Sequence, residues 1–224
     1  MITVLGAIGW KTVAHEKNNK LDIRIDGAGY DIASALALLQ VPTRFVSTVT
    51  EGKISDLLKM DVEEVGLESM FQVKELAFSG SISWQTGDGE KVLNVYPAFD
   101  VDYEPEFLED AFKGSEWIIC EAGFKDETLQ KIMFAAVNKK IIWVIRTEKD
   151  LARFMDNKDL ENSGIFIGPH AASGWQKKIH KVPNQKNGIL LMVATGSTLI
   201  VHHNDSQHAL PISNKTDQPE TRFS

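Results

Sequence analysis

The sequence predicts an α/β fold, a mostly parallel sheet covered by helices on both faces. Short apolar runs alternate with stretches whose apolar residues recur at helical spacing, as in a chain of βα units. The run KIIWVIR has an uninterrupted apolar centre, as a strand covered on both faces requires. One β-rich stretch around Gly87-Asp88-Gly89 breaks the alternation and is expected to stand outside the main sheet.

Taken in order, MITVLG is a short apolar run ended by glycine and reads as a buried first strand. AHEKNNKL is polar and turn-like, and DIRI alternates as a half-exposed strand does. The period then changes. In GAGYDIASALALLQV, Ile32, Ala35, Leu36 and Leu39 recur at helical spacing, and Pro42 follows the end. TRFVSTV returns to strand, and KISDLLKM reads as a short helix. In FSGSISWQTGDGEKVLNVYPAF, two β-rich runs flank the glycines of a hairpin. With DIRI they are expected to form a small projecting sheet, its strands around 21–26 and 78–99.

Alternation then resumes. EPEFLEDAF is a helix with acids in its first turn, where they suit the helix dipole. EWIICEA is a strand, and DETLQKIMFAAVNK is a helix with Leu129, Ile132, Met133 and Ala136 on its inner face. After the strand KIIWVIR, the segments EKDLARFMD and AASGWQKKI read as helices on either side of the strand GIFIG. GILLMVA and TLIVHH are strands joined by a tight turn, and a turn at Asn204-Asp205 leads into a last strand. No repeat, low-complexity tract or linker interrupts the chain, so 1–224 reads as a single domain.

Composition excludes several classes. With 24 basic against 31 acidic residues the net charge is −7, which argues against a nucleic-acid footprint and an electrostatic membrane anchor. The N-terminus lacks a charged leader and no apolar run is long enough to span a bilayer. One cysteine, Cys120, permits no internal disulfide, so a reducing, cytoplasmic setting is expected. Within WIICEAG it reads as a packing residue rather than a nucleophile.

The motifs each admit a bland reading. GAIG after the first strand is followed by WKTVAHEKNNK, which has no helical stripe, so a dinucleotide fingerprint is disfavoured; no P-loop run exists. DGAGYDIASALALL places two glycines before a helix N-terminus with Asp31 in its first turn. That segment either lets a ligand approach backbone amides or is a plain helix entry. Thr195-Gly196-Ser197, in LLMVATGSTLIV, either presents donors to a phosphate or is an ordinary tight turn. His202, His203 and His208 have no metal-site spacing and read as surface residues.

Taken together, these segments resemble the ribokinase-like (PfkB) carbohydrate kinases from Met1 to about Pro211. ITVLGAIGWKTVA is similar to that family's opening strand. DGAGYDIASALALLQVPTRFVSTV is similar to its substrate segment, helix and next strand. SGSISWQTGDGEKVLNVYPAF looks like its lid strands, and VATGSTLIVHHNDSQHALPI looks like its strand, nucleotide-binding turn and hairpin. The resemblance implies a three-layer ribokinase-like fold with a small β-lid. It also implies a sugar-like ligand, ATP and Mg2+ as cofactors, and nucleotide contact at Thr195, Gly196 and Ser197. Gly27, Gly29, Asp31 and Lys11 would contact substrate.

The sequence departs from that family's pattern at several places. Lys11 stands where an acidic residue would hold sugar hydroxyls. The glycine pair is matched only by Gly27, with Asp26 before it, and Asp31 replaces an asparagine. His170 and Ser173, in IGPHAASGW, occupy the places of the Asn and Glu that organise magnesium and phosphate. A Gly-Ala-Gly-Asp signature should follow the last hairpin, but the sequence reaches DQPETRFS there, and Asp217 lacks the glycines. The expectation is a C-terminally truncated fold with no catalytic base of its own. Losing such a base costs roughly 10²–10⁴ in rate.

Three readings of function follow. In the first, the chain is a degenerate kinase-like protein that binds a ligand or partner without phosphotransfer. In the second, it is an active ATP-dependent sugar kinase of an outlying subfamily whose catalytic C-terminal part lies outside this chain. In the third, it is an interaction module that pairs through its lid. Trp84, Tyr96 and Phe99 in the lid read as exposed, and a two-stranded lid is marginal alone, so a homodimer through this region is expected.

Overall fold

The computed structural model describes residues 1–17, 19–75, 80–86, 89–96, 102–147, 149–150, 152, 163–167, 190–195, 198–203 and 206–211. Two compact units divide the chain, Met1–Trp143 and Val144–Ser224, and each is described by itself.

In the first unit, β1 (Ile2–Leu5) lies between β4 (Thr43–Val49) and β8 (Trp117–Glu121), with β5 (Glu68–Val73) outside β4. All of these pairings are parallel, and Val4 sits opposite Phe45 on one side and Ile119 on the other. β9 (Lys140–Ile145), whose last residues open the second unit, lies next to β8. Four helices cover this sheet: α1 (Ala28–Leu38), α2 (Lys53–Glu64), α3 (Pro105–Phe112) and α4 (Asp126–Ala135).

Alternation along β1 separates the layers. Val4 joins Ile8, Ala33 of α1, Phe45, Val49, Leu58 and Val62 of α2, and Leu67 in one buried cluster. Its neighbour Thr3 faces the other way, where its hydroxyl pairs with Ser115 at 2.6 Å and donates to the carbonyl of Ala111 in α3 at 3.3 Å. Beneath that face Tyr103 packs edge-on to Phe124 at 5.7 Å. α3 opens on Pro105, whose missing N–H is no loss at a helix start. No helix among the described residues is long and apolar enough to cross a membrane.

Several elements differ from the sequence reading. α1 buries Gly29 and Ala33; Ala35 is exposed and Leu39 is 74% exposed, so only Ile32 and Leu36 of the expected stripe touch the core. The cause is that this helix rests on the sheet through its glycine entry, so its small residues come closest. α4 follows the reading in part, with Leu129, Ile132 and the C-cap Ala136 buried and Met133 half-buried. α2 runs on past Met60 to Glu64, and β5 is a strand that the pattern did not single out.

A second, four-stranded sheet in this unit runs β3-β2-β6-β7. β2 (Gly9–His15) occupies part of the segment read as turn, and β3 spans Lys20–Asp26. β6 (Gly80–Thr86) and β7 (Gly89–Tyr96) are the antiparallel pair expected on either side of the hairpin glycines. β2 pairs antiparallel with β3 and parallel with β6.

In the second unit, β10 (Ser163–Ile167) and β11 (Leu190–Thr195) are parallel; β12 (Thr198–His203) and β13 (Ser206–Pro211) then follow in antiparallel succession. The segments EKDLARFMD and AASGWQKKI lie largely outside the described residues, as do Gly87-Asp88 and Asn204-Asp205.

Candidate functional site

The carboxyl edge of a parallel sheet is where α/β folds bind ligands, and three segments of the first unit meet there. β1 ends at Leu5 and passes through Gly6, Ala7 and Ile8 into β2. β3 ends at Asp26 and turns through Gly27 into α1. β8 ends at Glu121.

Their contact is close because it is built from glycine. A Cβ on Gly6 would stand 2.7 Å from the Gly29 Cα and 2.9 Å from Glu121 Oε1, so neither backbone leaves room for a side chain. Gly27 holds the N-cap of α1 at φ +150, and a Cβ there would lie 2.2 Å from the Ala7 carbonyl oxygen. No side chain of its own segment caps α1. Instead the Gly29 N–H donates to Glu121 Oε1 at 2.5 Å, across 92 residues of sequence. The carboxylate satisfies an otherwise orphaned helix amide and sits at the positive end of the helix dipole.

Glu121 is 1% exposed, and among the described residues it is the one buried carboxylate. The sequence reading missed it. Its only signal is an acid closing an apolar strand immediately before a glycine turn. Beside it, burial pushes the Cys120 thiol well above its ordinary value, and the Glu121 charge adds to the effect. The Tyr103 hydroxyl is raised first by burial and then by Cys120 and Glu121. Cys120 is therefore a protonated packing residue, inert as a nucleophile.

These two groups give a pH prediction. Both keep their protons in the folded chain at pH values where the unfolded chain loses them. Their contribution is intact below the unfolded values, which lie near 9.0 for the thiol and 10.0 for the phenol. Above pH 9 stability is expected to fall with a slope of about 1.4 kcal/mol per pH unit for each group released. Denaturant titration at stepped pH reads this slope, and Cys120→Ala should delay its onset to the phenol's range.

The residues expected to face substrate are distributed as follows. Gly27 and Gly29 are buried at the junction just described, and Asp31 is exposed in the first turn of α1. Lys11 lies half-buried in β2, opposite Arg24 of β3 and Ser81 of β6. Elsewhere in that sheet Asp22 receives His15 Nε2 at 2.7 Å and Lys20 Nζ at 2.8 Å, and these two, Lys20 first, hold its carboxyl below the usual range. In the second unit Thr195 closes β11 opposite Thr198; Gly196, Ser197, His170, Ser173 and Asp217 lie outside the described residues. No group of three or more His, Cys, Asp or Glu among the described residues is placed to hold a metal ion.

No family model matches the chain, and no curated protein matches its sequence. Its backbone does match solved structures. A carbohydrate kinase from Agrobacterium tumefaciens superposes with a TM-score of 0.73 at 14% identity, covering 93% of this chain and 75% of that one. The chain has the ribokinase-like fold. A fructokinase from Xylella fastidiosa shares this fold at TM-score 0.72 and 14% identity, over 94% of this chain and 77% of its own. So does an uncharacterised sugar kinase from Pyrococcus horikoshii, solved in complex with ATP, at TM-score 0.71 and 13% identity over 96% and 78%. The ribokinase-like path of the backbone is thus kept while most side chains differ.

Proposed function

We propose that this chain is a ribokinase-like protein that binds a small polyol at the carboxyl edge of its sheet without transferring phosphate to it. Lys11 carries this reading. The resemblance implies an acidic residue at that place to accept hydrogen bonds from sugar hydroxyls, and a lysine ammonium has donors only. The departures at His170 and Ser173 point the same way, since neither is a natural organiser of a hard cation. Phosphoryl transfer rests almost entirely on positioning and charge stabilisation, so changes at independent positions remove rate and leave the fold. The junction of Gly6, Gly29 and Glu121 meanwhile fixes the entry of α1 beside that edge, with the Gly29 N–H already taken by the Glu121 carboxylate.

A second reading, an active ATP-dependent sugar kinase of an outlying subfamily whose catalytic C-terminal part lies outside this chain, is favoured by the ATP bound to the Pyrococcus horikoshii neighbour. On that reading Thr195, Gly196 and Ser197 contact the nucleotide, and Mg2+ accompanies it. Thermal melts with a sugar panel and with Mg-ATP, run beside an ADP-release assay, separate the two. At ligand one hundredfold above Kd the melt should rise by about 5–10 °C, with no ADP above background. ADP release dependent on a sugar overturns the first reading.

Pairing of two copies through the lid is also proposed. By register Leu21, Ile23 and Ile25 of β3 share a face with Trp10, Thr12 and Ala14 of β2 and with Ile82 and Trp84 of β6. On that face Leu21, Ile23, Ile82 and Trp84 are 58%, 60%, 44% and 43% exposed, more apolar surface than a monomer's sheet ordinarily leaves bare. Elution as a dimer is expected, and Ile23→Glu together with Trp84→Glu should yield a folded monomer. A monomeric parent chain would contradict the pairing.

A further inference from the structure

β3 is the end strand of the lid sheet and, among the described residues, pairs on one side only, with β2. Its residues, KLDIRID, include no proline or glycine, and its register against β2 runs unbroken from Lys20 to Asp26. The strand is open on both faces: Leu21 and Ile23 are exposed on one, and Lys20, Arg24 and Asp26 on the other. Such an edge carries a row of backbone donors and acceptors ready to pair with another strand. Natural edges are blunted by a proline, a bulge or charges that repel a newcomer. β3 has neither of the first two, so its charges decide which strand it accepts.

Those charges complement the strand's own reverse. Along β3 the signs run plus at Lys20, minus at Asp22, plus at Arg24 and minus at Asp26, with Leu21, Ile23 and Ile25 between them. Two copies related by a two-fold axis across this edge pair antiparallel, and the residue on the axis stands opposite itself. With Ile23 on the axis, Asp22 faces the partner's Arg24 and Lys20 faces the partner's Asp26, each pair made twice. Leu21 then meets the partner's Ile25, and Ile23 meets its own counterpart. Opposite charges and apolar pairs so opposed stabilise a strand pair, and like charges there destabilise it. Neighbouring registers fail on that ground. An axis at Asp22 sets Lys20 against the partner's Arg24, and an axis at Arg24 sets Asp22 against the partner's Asp26. Asp22 already accepts His15 at 2.7 Å and Lys20 at 2.8 Å. A carboxylate has about four acceptor sites, so it can take a guanidinium N–H as well.

Resting on the reading that two copies pair through the lid, we infer that they join edge to edge, β3 against β3 of a second copy, antiparallel with Ile23 on the two-fold axis. The two lid sheets then run on into one, and the exposed Leu21 and Ile23 gain apolar neighbours across the seam. The partner's Lys20 stands opposite Asp26, the residue before the Gly27 turn into α1. The pairing thus braces the strand that leads into the helix entry at the sheet's carboxyl edge.

The test reads the oligomeric state of the full chain by sedimentation over a range of concentrations. Arg24→Glu and Asp22→Lys should each weaken self-association about tenfold or more, because either change sets like charges opposite each other twice across the seam. Mixed together, the two variants should recover parent-like affinity as a heterodimer, since each supplies the charge the other lacks. Cysteine cross-linking reads the register. Ile23→Cys should form an intermolecular disulfide under mild oxidation, because directly opposed Cα atoms lie about 5 Å apart. Leu21→Cys alone should not, its counterpart standing roughly 14 Å away, whereas Leu21→Cys combined with Ile25→Cys should. The native Cys120 is buried and does not compete. A dimeric parent whose Ile23→Cys variant fails to cross-link, or whose Trp84→Cys variant links in its place, overturns the edge pairing while lid association stands. Charge variants that are folded yet stay apart on mixing do the same. A parent chain that is monomeric at every concentration overturns both.

Discussion

Gly27→Ala is expected to cost about 3–5 kcal/mol of stability and to lower the melting temperature by roughly 10 °C. Two effects combine. The residue sits at φ +150, where an L side chain is strained, and its new Cβ would lie 2.2 Å from the Ala7 carbonyl oxygen and 3.2 Å from the Ile8 Cα. Both are backbone atoms, so neither can swing aside as the end of a long side chain would. Gly52→Ala is the matched control. Gly52 is the N-cap of α2 at φ +125 with nothing within 4 Å of the added atom, so it carries the strain alone, about 1–3 kcal/mol. Denaturant and thermal melts of both variants read the contrast. If Gly27→Ala melts no lower than Gly52→Ala, the close approach of Ala7 and Ile8 to the entry of α1 is not real.

The second large effect is at Phe45. Phe45→Ala should destabilise by about 3–5 kcal/mol, the range for deleting a fully buried aromatic ring. Phe45 is fully buried in β4, opposite Val4, and meets the rings of Tyr30 and Phe71 edge-on at 6.1 Å each. Those contacts tie α1 and β5 to the same strand, so the cavity would be lined by elements that cannot all collapse into it. Phe134→Ala in α4 is the contrast. That ring is largely exposed, and its loss should change stability by no more than about 0.5 kcal/mol. A denaturant midpoint that shifts for Phe45→Ala at unchanged slope confirms a loss of packing rather than a change in the unfolded chain.

The layered architecture was legible because burial leaves a period. β1, β4, β8 and β9 are apolar runs in a sheet covered on both sides, and Leu129 and Ile132 recur at helical spacing over it. The glycines between β6 and β7 announced the lid. β5 was missed because its residues are mostly half-buried and show neither a continuous run nor clean alternation. The inner face of α1 was misread because Gly29 and Ala33 approach the sheet by being small, whereas periodicity weighs bulk.

The site was less legible than the fold, for a different reason. Gly27 and Gly29 stood out as glycines before a helix, but what requires them is the Ala7 carbonyl, Gly6 and Glu121, which only the folded topology brings near. Glu121 lies 92 residues from the amide it binds and carries no local pattern. The opposition of Lys11 and Arg24 depends on the register of β2 against β3, which the polar turn between them does not reveal. Long-range contact makes these residues functional candidates, and a linear pattern records only neighbours.

ATP turnover by the purified chain, with Mg2+ and its tightest-binding polyol at saturation, tests the central claim most directly. ADP release at the ligand-free background, while calorimetry shows the polyol bound, is the result expected here. ADP released in step with a phosphorylated polyol would contradict it.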